Sequence, residues 1–229
     1  MNYIWLNDSS PILEQLQGKF NSAIIILNPF IQMPMGWKAS KKINKFEHIY
    51  PEDAEIIEHG SPINWSDIVS QSELNDNCEL ALALKTCIAA LNSSYSRRNL
   101  ADKLLMKLDY DNDLFFPNED KISHFIIKDI IELYLSFGIS KVQYSDPIFD
   151  TDGDVDLTTI EPISFCELAT KEVIITDDSN RIAFMSVYDS FITLLLLNDI
   201  DPKEIVDRFK WDNIQCTEST YINWYLKEE

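Results

Sequence analysis

Glycine is scarce in this chain of 229 residues, with five in all. No Gly-x-Gly-x-x-Gly and no Gly-Lys-Ser/Thr sequence occurs, which excludes the loops that cradle phosphates in dinucleotide and P-loop folds. Cysteine is sparse too. Cys78, Cys87, Cys166 and Cys216 show neither Cys-x-x-Cys spacing nor a paired pattern, and this predicts free core thiols in a reducing cytoplasm. The three histidines form no His-x-x-x-His and sit at no metal spacing from a cysteine. No Gly-x-Ser-x-Gly elbow is present, so catalysis has no motif in its support and the reading leans away from an enzyme. Long apolar runs are missing as well: Ala23–Leu27 and Phe191–Leu197 are far too short to span a bilayer. The first eight residues have neither the basic region nor the apolar run of a signal peptide.

Positive charge is the other shortage. Nineteen Lys and Arg face 38 Asp and Glu, a net of −19. The imbalance is concentrated in the second half. Residues 1–110 carry 13 acids against 10 bases, whereas residues 111–229 carry 25 against 9, a net of −16. Such a field repels nucleic acid and anionic membranes and favours encounter with basic partners. A short basic stretch, Lys38, Lys41, Lys42 and Lys45, runs against this trend and reads as a solvated loop.

What is present is ordinary globular material, 45% hydrophobic, predicted to fold as one α+β domain over residues 1–229. Short strands are expected at Tyr3–Leu6 and Ala23–Leu27, with a helix between them capped by Ser10 and stopped near Gly18. Residues 29–50 read as irregular surface chain pinned by Phe30, Trp37, Phe46 and Tyr50. Short helices follow after Pro51 and Asn64. Helical spacing then marks about 76–91, a segment around Leu100–Leu108, and about 120–137, which Gly138 terminates. Beyond that point the period becomes two. Strands are expected at Lys141–Ser145, Asp156–Ile160, Glu172–Thr176, Arg181–Tyr188, Asn213–Cys216 and Tyr221–Leu226, with one helix capped by Asp201. Helices followed by strands indicate a helical middle segment packed on a mainly antiparallel C-terminal sheet, with a subdivision between 138 and 139 as the alternative organisation.

The clearest chemical feature is the acidic segment Asp146-Pro-Ile-Phe-Asp150-Thr-Asp152-Gly-Asp154-Val-Asp156. Taken as a calcium loop, Asp150, Asp152, Asp154 and Asp156 stand at positions 1, 3, 5 and 7, and Glu161 at 12. Position 6 is Val155, where that loop needs glycine. Asp150-Thr-Asp152-Gly153 also resembles the nucleophile motif of haloacid-dehalogenase-like phosphatases, which implies a metal-assisted hydrolase; Asp154 replaces the expected threonine and Pro147 interrupts the strand before it. Asp-x-Asp of metal-assisted sugar-nucleotide transferases is a third match, at a spacing common in acidic chains. The simplest reading is a β-turn with Gly153 at positive φ and the aspartates in solvent. Bunched carboxylates could still attract a divalent cation weakly without a dedicated site.

Three segments together resemble an uncharacterised bacterial family, a domain of unknown function of low-GC Gram-positive bacteria. They are Asn28-Pro-Phe-Ile-Gln-Met-Pro34, Asn44-Lys-Phe-Glu-His-Ile-Tyr-Pro51 and Phe184-Met-Ser-Val-Tyr-Asp-Ser-Phe191. The resemblance covers nearly the whole chain, implies no activity and transfers no site residues. The C-terminal third is also similar in layout to toxin-immunity proteins: a strand, an Asp-Ser-Phe step, a helix and two short strands. The reading that combines these points is a non-catalytic cytoplasmic binding protein without a cofactor, contacting a basic protein through Asp177, Asp178, Tyr188 and Asp189. Toxin neutralisation is its concrete version. The alternative is a metal-dependent hydrolase or calcium binder using Asp150, Asp152, Asp154, Asp156 and Glu161.

Overall fold

A computed structural model describes residues 1–42, 49–110, 113–168 and 171–226. The chain starts with α1 (Ile12–Gln15), β1 (Ser22–Leu27), β2 (Phe30–Gln32), α2 (Trp37–Lys41), α3 (Asp53–His59), β3 (Ser61–Ile63) and α4 (Trp65–Gln71). It continues through α5 (Asn77–Cys87), α6 (Arg98–Tyr110) and β4 (Leu114–Phe115) to a 3-10 turn at His124–Ile126 that runs into α7 (Ile127–Ser136). The rest is β5 (Lys141–Asp146), β6 (Thr151–Asp156), α8 (Pro162–Cys166), β7 (Ile174–Thr176), β8 (Ile182–Ser186), β9 (Ile192–Leu197), α9 (Pro202–Phe209) and β10 (Asn213–Gln215). The α+β class is therefore correct.

Two compact units emerge. One joins Met1–Asn28 to Asn118–Trp224; the other is Pro29–Pro117 with residues 225–229. Their boundaries fall beside Pro29 and Pro117. Asn28, the residue after β1, is fully buried, and both polar atoms of its side chain are used. Nδ2 donates to the Lys121 carbonyl at 3.1 Å, and Oδ1 accepts from the Thr193 hydroxyl at 2.8 Å.

The first unit is built on a seven-stranded sheet in the order β10-β1-β9-β8-β7-β5-β6, antiparallel at every pairing. The N-terminal β1 thus lies inside a sheet that is otherwise made of C-terminal strands. Its central strands are buried on both faces, which is why β1 and β9 are continuous apolar runs instead of alternating ones. One face packs against α7. There Ile127, Ile130, Leu133 and Tyr134 meet Ile24, Ile175, Phe184 and Leu195 in one core, to which α8 adds Phe165 and α9 adds Ile205. The fully buried Tyr134 hydroxyl donates to the Ile175 carbonyl at 2.9 Å and lies 3.3 Å from that of Ile182. On the outer side of α7, Asp129 accepts from the Trp211 indole at 2.8 Å, Glu132 pairs with Arg208, and Phe209 stacks on Trp211. Gly138 takes φ +74° and stops the helix as expected.

Several expected elements are displaced. Tyr3–Leu6 forms no strand, although Tyr3 and Ile4 are buried, and Tyr221–Leu226 is largely turn because β10 ends the sheet on that side. The strand expected at Asp156–Ile160 instead occupies Thr151–Asp156. Asp156 ends it: its carboxylate accepts from the Thr158 N–H at 3.0 Å and from the Thr158 hydroxyl, and its carbonyl accepts from Ile160 N, which turns the chain. Gly153 lies inside β6 opposite Tyr144 and not at positive φ; the left-handed residue of this hairpin is Asp150, at φ 51°.

In the second unit, residues expected to be irregular supply β2, the centre of a three-stranded sheet β3-β2-β4. Phe30 is buried there, and Trp37 packs edge-on against Phe115. Asp113 holds the start of α2, accepting from the backbone N–H of Gly36 at 2.6 Å and of Lys38 at 2.8 Å. Two lysines of the basic stretch serve this packing. Lys38 stands over the Phe115 ring, and Lys41 stands over Trp37 and pairs with Glu55. Lys45 and Phe46 lie outside the described residues.

Candidate functional site

The aspartate segment is a regular hairpin at the edge of the large sheet. Val142 and Val155 face the core, so the alternation of the strand sends Asp152, Asp154 and Asp156 to the exposed side together. Neighbours two apart on a strand stand roughly 7 Å from one another, so the three side chains are spread along the edge and not drawn to one point. Asp150 occupies the turn, and Glu161 is the residue before α8. Charge along an exposed edge strand also discourages pairing with a second chain, a structural use for these residues. Asp146 differs from the others. It is buried, and its Oδ1 accepts from the backbone N–H of Ile148 at 2.7 Å and of Phe149 at 3.1 Å, which shapes the turn.

The four residues expected to contact a partner separate into two pairs. Asp177 and Asp178 follow β7, whereas Tyr188 and Asp189 follow β8, the antiparallel neighbour, so the pairs sit at opposite ends of the sheet. Asp178 is exposed, but Asp177 is buried in its turn. Its carboxylate accepts from the backbone N–H groups of Ser179, Arg181 and Ile182 at 2.8–3.0 Å. Tyr188 is exposed and Asp189 half-buried.

At the end of the sheet that carries Asp189, acids do converge. The ends of β5 and β8 and the start of β7 bring Asp146, Asp189 and Glu172 to the same side, and the Asp120 N–H bonds the Ser190 carbonyl at 3.0 Å. Glu119, Asp120 and Asp189 each place a carboxylate oxygen within 4.8 Å of the other two, the one such trio among the described residues. Asp120 and Asp189 both adopt positive φ, at 62° and 49°. Asp120 is 6% exposed and its Oδ1 has no hydrogen-bond partner. Glu172, next along this edge, is 0% exposed, and neither of its carboxylate oxygens has one. The exposed Lys171 places its Nζ 4.0 Å from Asp120 Oδ2.

Glu172 and Asp120 titrate accordingly. Burial pushes Glu172 up from the usual carboxylate range, and the charges of Asp120 and Asp146 push it further against the pull of Lys171. Burial likewise raises Asp120, against the opposing pull of the Asp189 N–H and Lys171. The hydroxyl of buried Tyr3 lies in the same field and is raised by burial and by Glu172.

Between the N-terminal segment and the hairpin runs a cleft of about 620 Å³. Its walls are Met1, Asn2, Tyr3 and Trp5 on one side, and Tyr144, Asp146, Asp150, Asp152 and Asp154 among those on the other. Trp5 is 58% exposed, and Phe149 at the hairpin tip is 63% exposed. The role of the N-terminal segment here was invisible in the sequence, where it read as a strand. Glu119, Asp120 and Glu172 carried no signal either, since their approach depends on sheet pairing and not on spacing.

Residues 8–226 match the family described as "Protein of unknown function (DUF2711)". The chain is 40% identical over 225 residues to the uncharacterized protein YwbB of Bacillus subtilis (strain 168), covering 98% of this chain and 99% of that one. No solved structure matches. Among the described residues no helix is long and apolar enough to cross a membrane.

Proposed function

The chain belongs to this bacterial family of unknown function, and on that premise we propose that it is a non-catalytic, cytoplasmic binding protein that captures a basic protein segment in the acidic cleft. The observation that carries this reading is the cleft itself, lined by Asp150, Asp152 and Asp154 of the hairpin together with Tyr144 and the exposed Trp5. Carboxylates beside aromatic faces are matched to Arg and Lys side chains, which gain charge pairing and cation–π contact together. The cleft volume lies in the range that accommodates a short peptide or a few side chains. The −16 charge of residues 111–229 would steer such a partner and speed encounter at low salt. Neutralisation of a basic toxin is the concrete version of this reading; an adjacent toxin gene in the host would support it.

Titration of a labelled Arg- and Lys-rich peptide against the intact protein tests the proposal. Saturable binding is expected, weakened by salt, by Asp152→Lys with Asp154→Lys, and by Trp5→Ala. Binding that is absent, or indifferent to all three, removes it. The rival, a hydrolase or calcium binder built on Asp150, Asp152, Asp154, Asp156 and Glu161, gains no support from a strand that spreads its carboxylates apart.

A further inference from the structure

A fully buried carboxylate with no hydrogen-bond donor is rare, because stripping water from the charge costs several kcal/mol unless something replaces it. This protein holds such a group in Glu172, which feels the charge of Asp120, and a second, half-satisfied one in Asp120 itself. Glu119 and Asp189 bring two further carboxylates to Asp120. These acids gather at one end of the sheet, and protons or a metal ion can compensate the buried oxygens of Asp120 and Glu172 that no donor reaches.

We propose that Glu119, Asp120 and Asp189 bind one hard divalent cation, with Glu172 behind them as unligated negative charge that favours occupancy. The donor set is all oxygen, which selects Ca²⁺, Mg²⁺ or Mn²⁺ over softer metals. The distances fit a single ion: ligands on opposite sides of a calcium bound at its usual 2.3–2.6 Å are about 5 Å apart at most, and the trio lies within 4.8 Å. Glu119 and Asp189 are half-buried, so the site has an open side through which an ion can enter and keep some of its water. Asp120 and Asp189 both take positive φ, and the Asp120 Oδ1 beside them has no hydrogen-bond partner. Lys171 is the competitor. Its ammonium sits by Asp120 when no ion is bound, and its exposed side chain is able to swing out. This site is separate from the hairpin acids, which stay in solvent, and it does not depend on the peptide cleft.

Calorimetric titration of the chelator-treated intact protein with CaCl₂, MgCl₂ and MnCl₂ tests it, with thermal melting as a second readout. One saturable site and a cation-dependent rise in Tm are expected. Asp120→Asn and Asp189→Asn should abolish both, and Glu172→Gln should weaken binding about 10-fold, as loss of supporting charge around a metal does. Lys171→Gln should tighten binding. Neutralising an acid here relieves repulsion, so the variants should fold; if Asp120→Asn does not, half-exposed Glu119→Gln carries the same test. Absence of saturable binding overturns the proposal, and so does binding retained by both Asp120→Asn and Asp189→Asn. Binding lost in Asp152→Asn with Asp154→Asn but kept in Asp120→Asn would move the ion to the hairpin and overturn it equally.

Discussion

The hydroxyl of Tyr3 donates to the backbone carbonyl of Ser186 at 2.7 Å, a bond that spans 183 positions of sequence. It ties the N-terminal segment to the end of β8, beside the converging acids, and so sets one wall of the cleft. Tyr3→Phe keeps the ring and its contact with Trp5 but leaves a buried carbonyl unpaired. The expected loss is about 1–2 kcal/mol in urea unfolding. Weaker capture of a basic peptide should accompany it, since the wall loses its tether.

Tyr134 is the equivalent fastening inside the core. Its hydroxyl reaches the carbonyls of Ile175 and Ile182 on adjacent strands. Tyr134→Phe should cost about 1–3 kcal/mol, read as a lower urea midpoint at unchanged m-value. Peptide and cation titrations should stay as in the parent protein, because Tyr134 belongs to neither site.

Asp177 is expected to behave as a turn residue. Asp177→Ala strands three backbone N–H groups, and a loss of about 2 kcal/mol or more should appear in chemical unfolding. Asp177→Asn keeps an acceptor and should lose less. Asp178→Asn, exposed in the same turn, should be close to neutral.

Gly153 faces Tyr144 across the β5–β6 pair, and a methyl group there would lie 2.8 Å from Tyr144 Cε1. Gly153→Ala should displace the ring into the cleft and destabilise by about 1–3 kcal/mol. Adding Tyr144→Ser should recover part of the loss, a coupling that a double-mutant cycle measures.

The acid cluster predicts a pH dependence in chelator-treated protein. Glu172 and Asp120 have pKa values above those of the unfolded chain, so the folded form holds more protons between the ordinary carboxylate range and the raised values. Stability must therefore rise as pH falls through that window and decline as pH climbs through it. Lys171 opposes the shift, while Asp146 and the desolvated Tyr3 stand in the same field. Glu172→Gln should raise Tm at neutral pH and flatten the profile. A wild-type Tm that falls on mild acidification would contradict this.

Much of the helical part was legible because it depends on neighbours three or four residues apart. Asp76 caps α5, with its carboxylate accepting from the Glu79 N–H at 3.0 Å, and Asp201 caps α9 with Pro202 in the first turn. The strands at Ile174–Thr176, Ile182–Ser186 and Asn213–Gln215 lie within expected ones, whereas Tyr221–Leu226 forms none and Ile192–Leu197, apolar without alternation, was not expected as a strand. The Asp150–Asp156 segment was misread locally because aspartate and glycine favour turns, whereas pairing with β5 and the burial of Val155 hold it extended. Asp189 was singled out for a partner surface and lies in the carboxylate trio.

Composition and periodicity alone settled the α+β class, the acidic second half and the lack of familiar catalytic motifs, because each is a sum or a short-range pattern. Folding decided which acids act together. The hairpin acids adjoin one another in sequence, and a strand separates their side chains; Glu119, Asp120, Glu172 and Asp189 are up to 70 positions apart, and antiparallel pairing of β7 and β8 brings them to one edge. Electrostatics follows distance in space, and in a sheet that distance is set by register and strand order, which no local stretch of sequence contains.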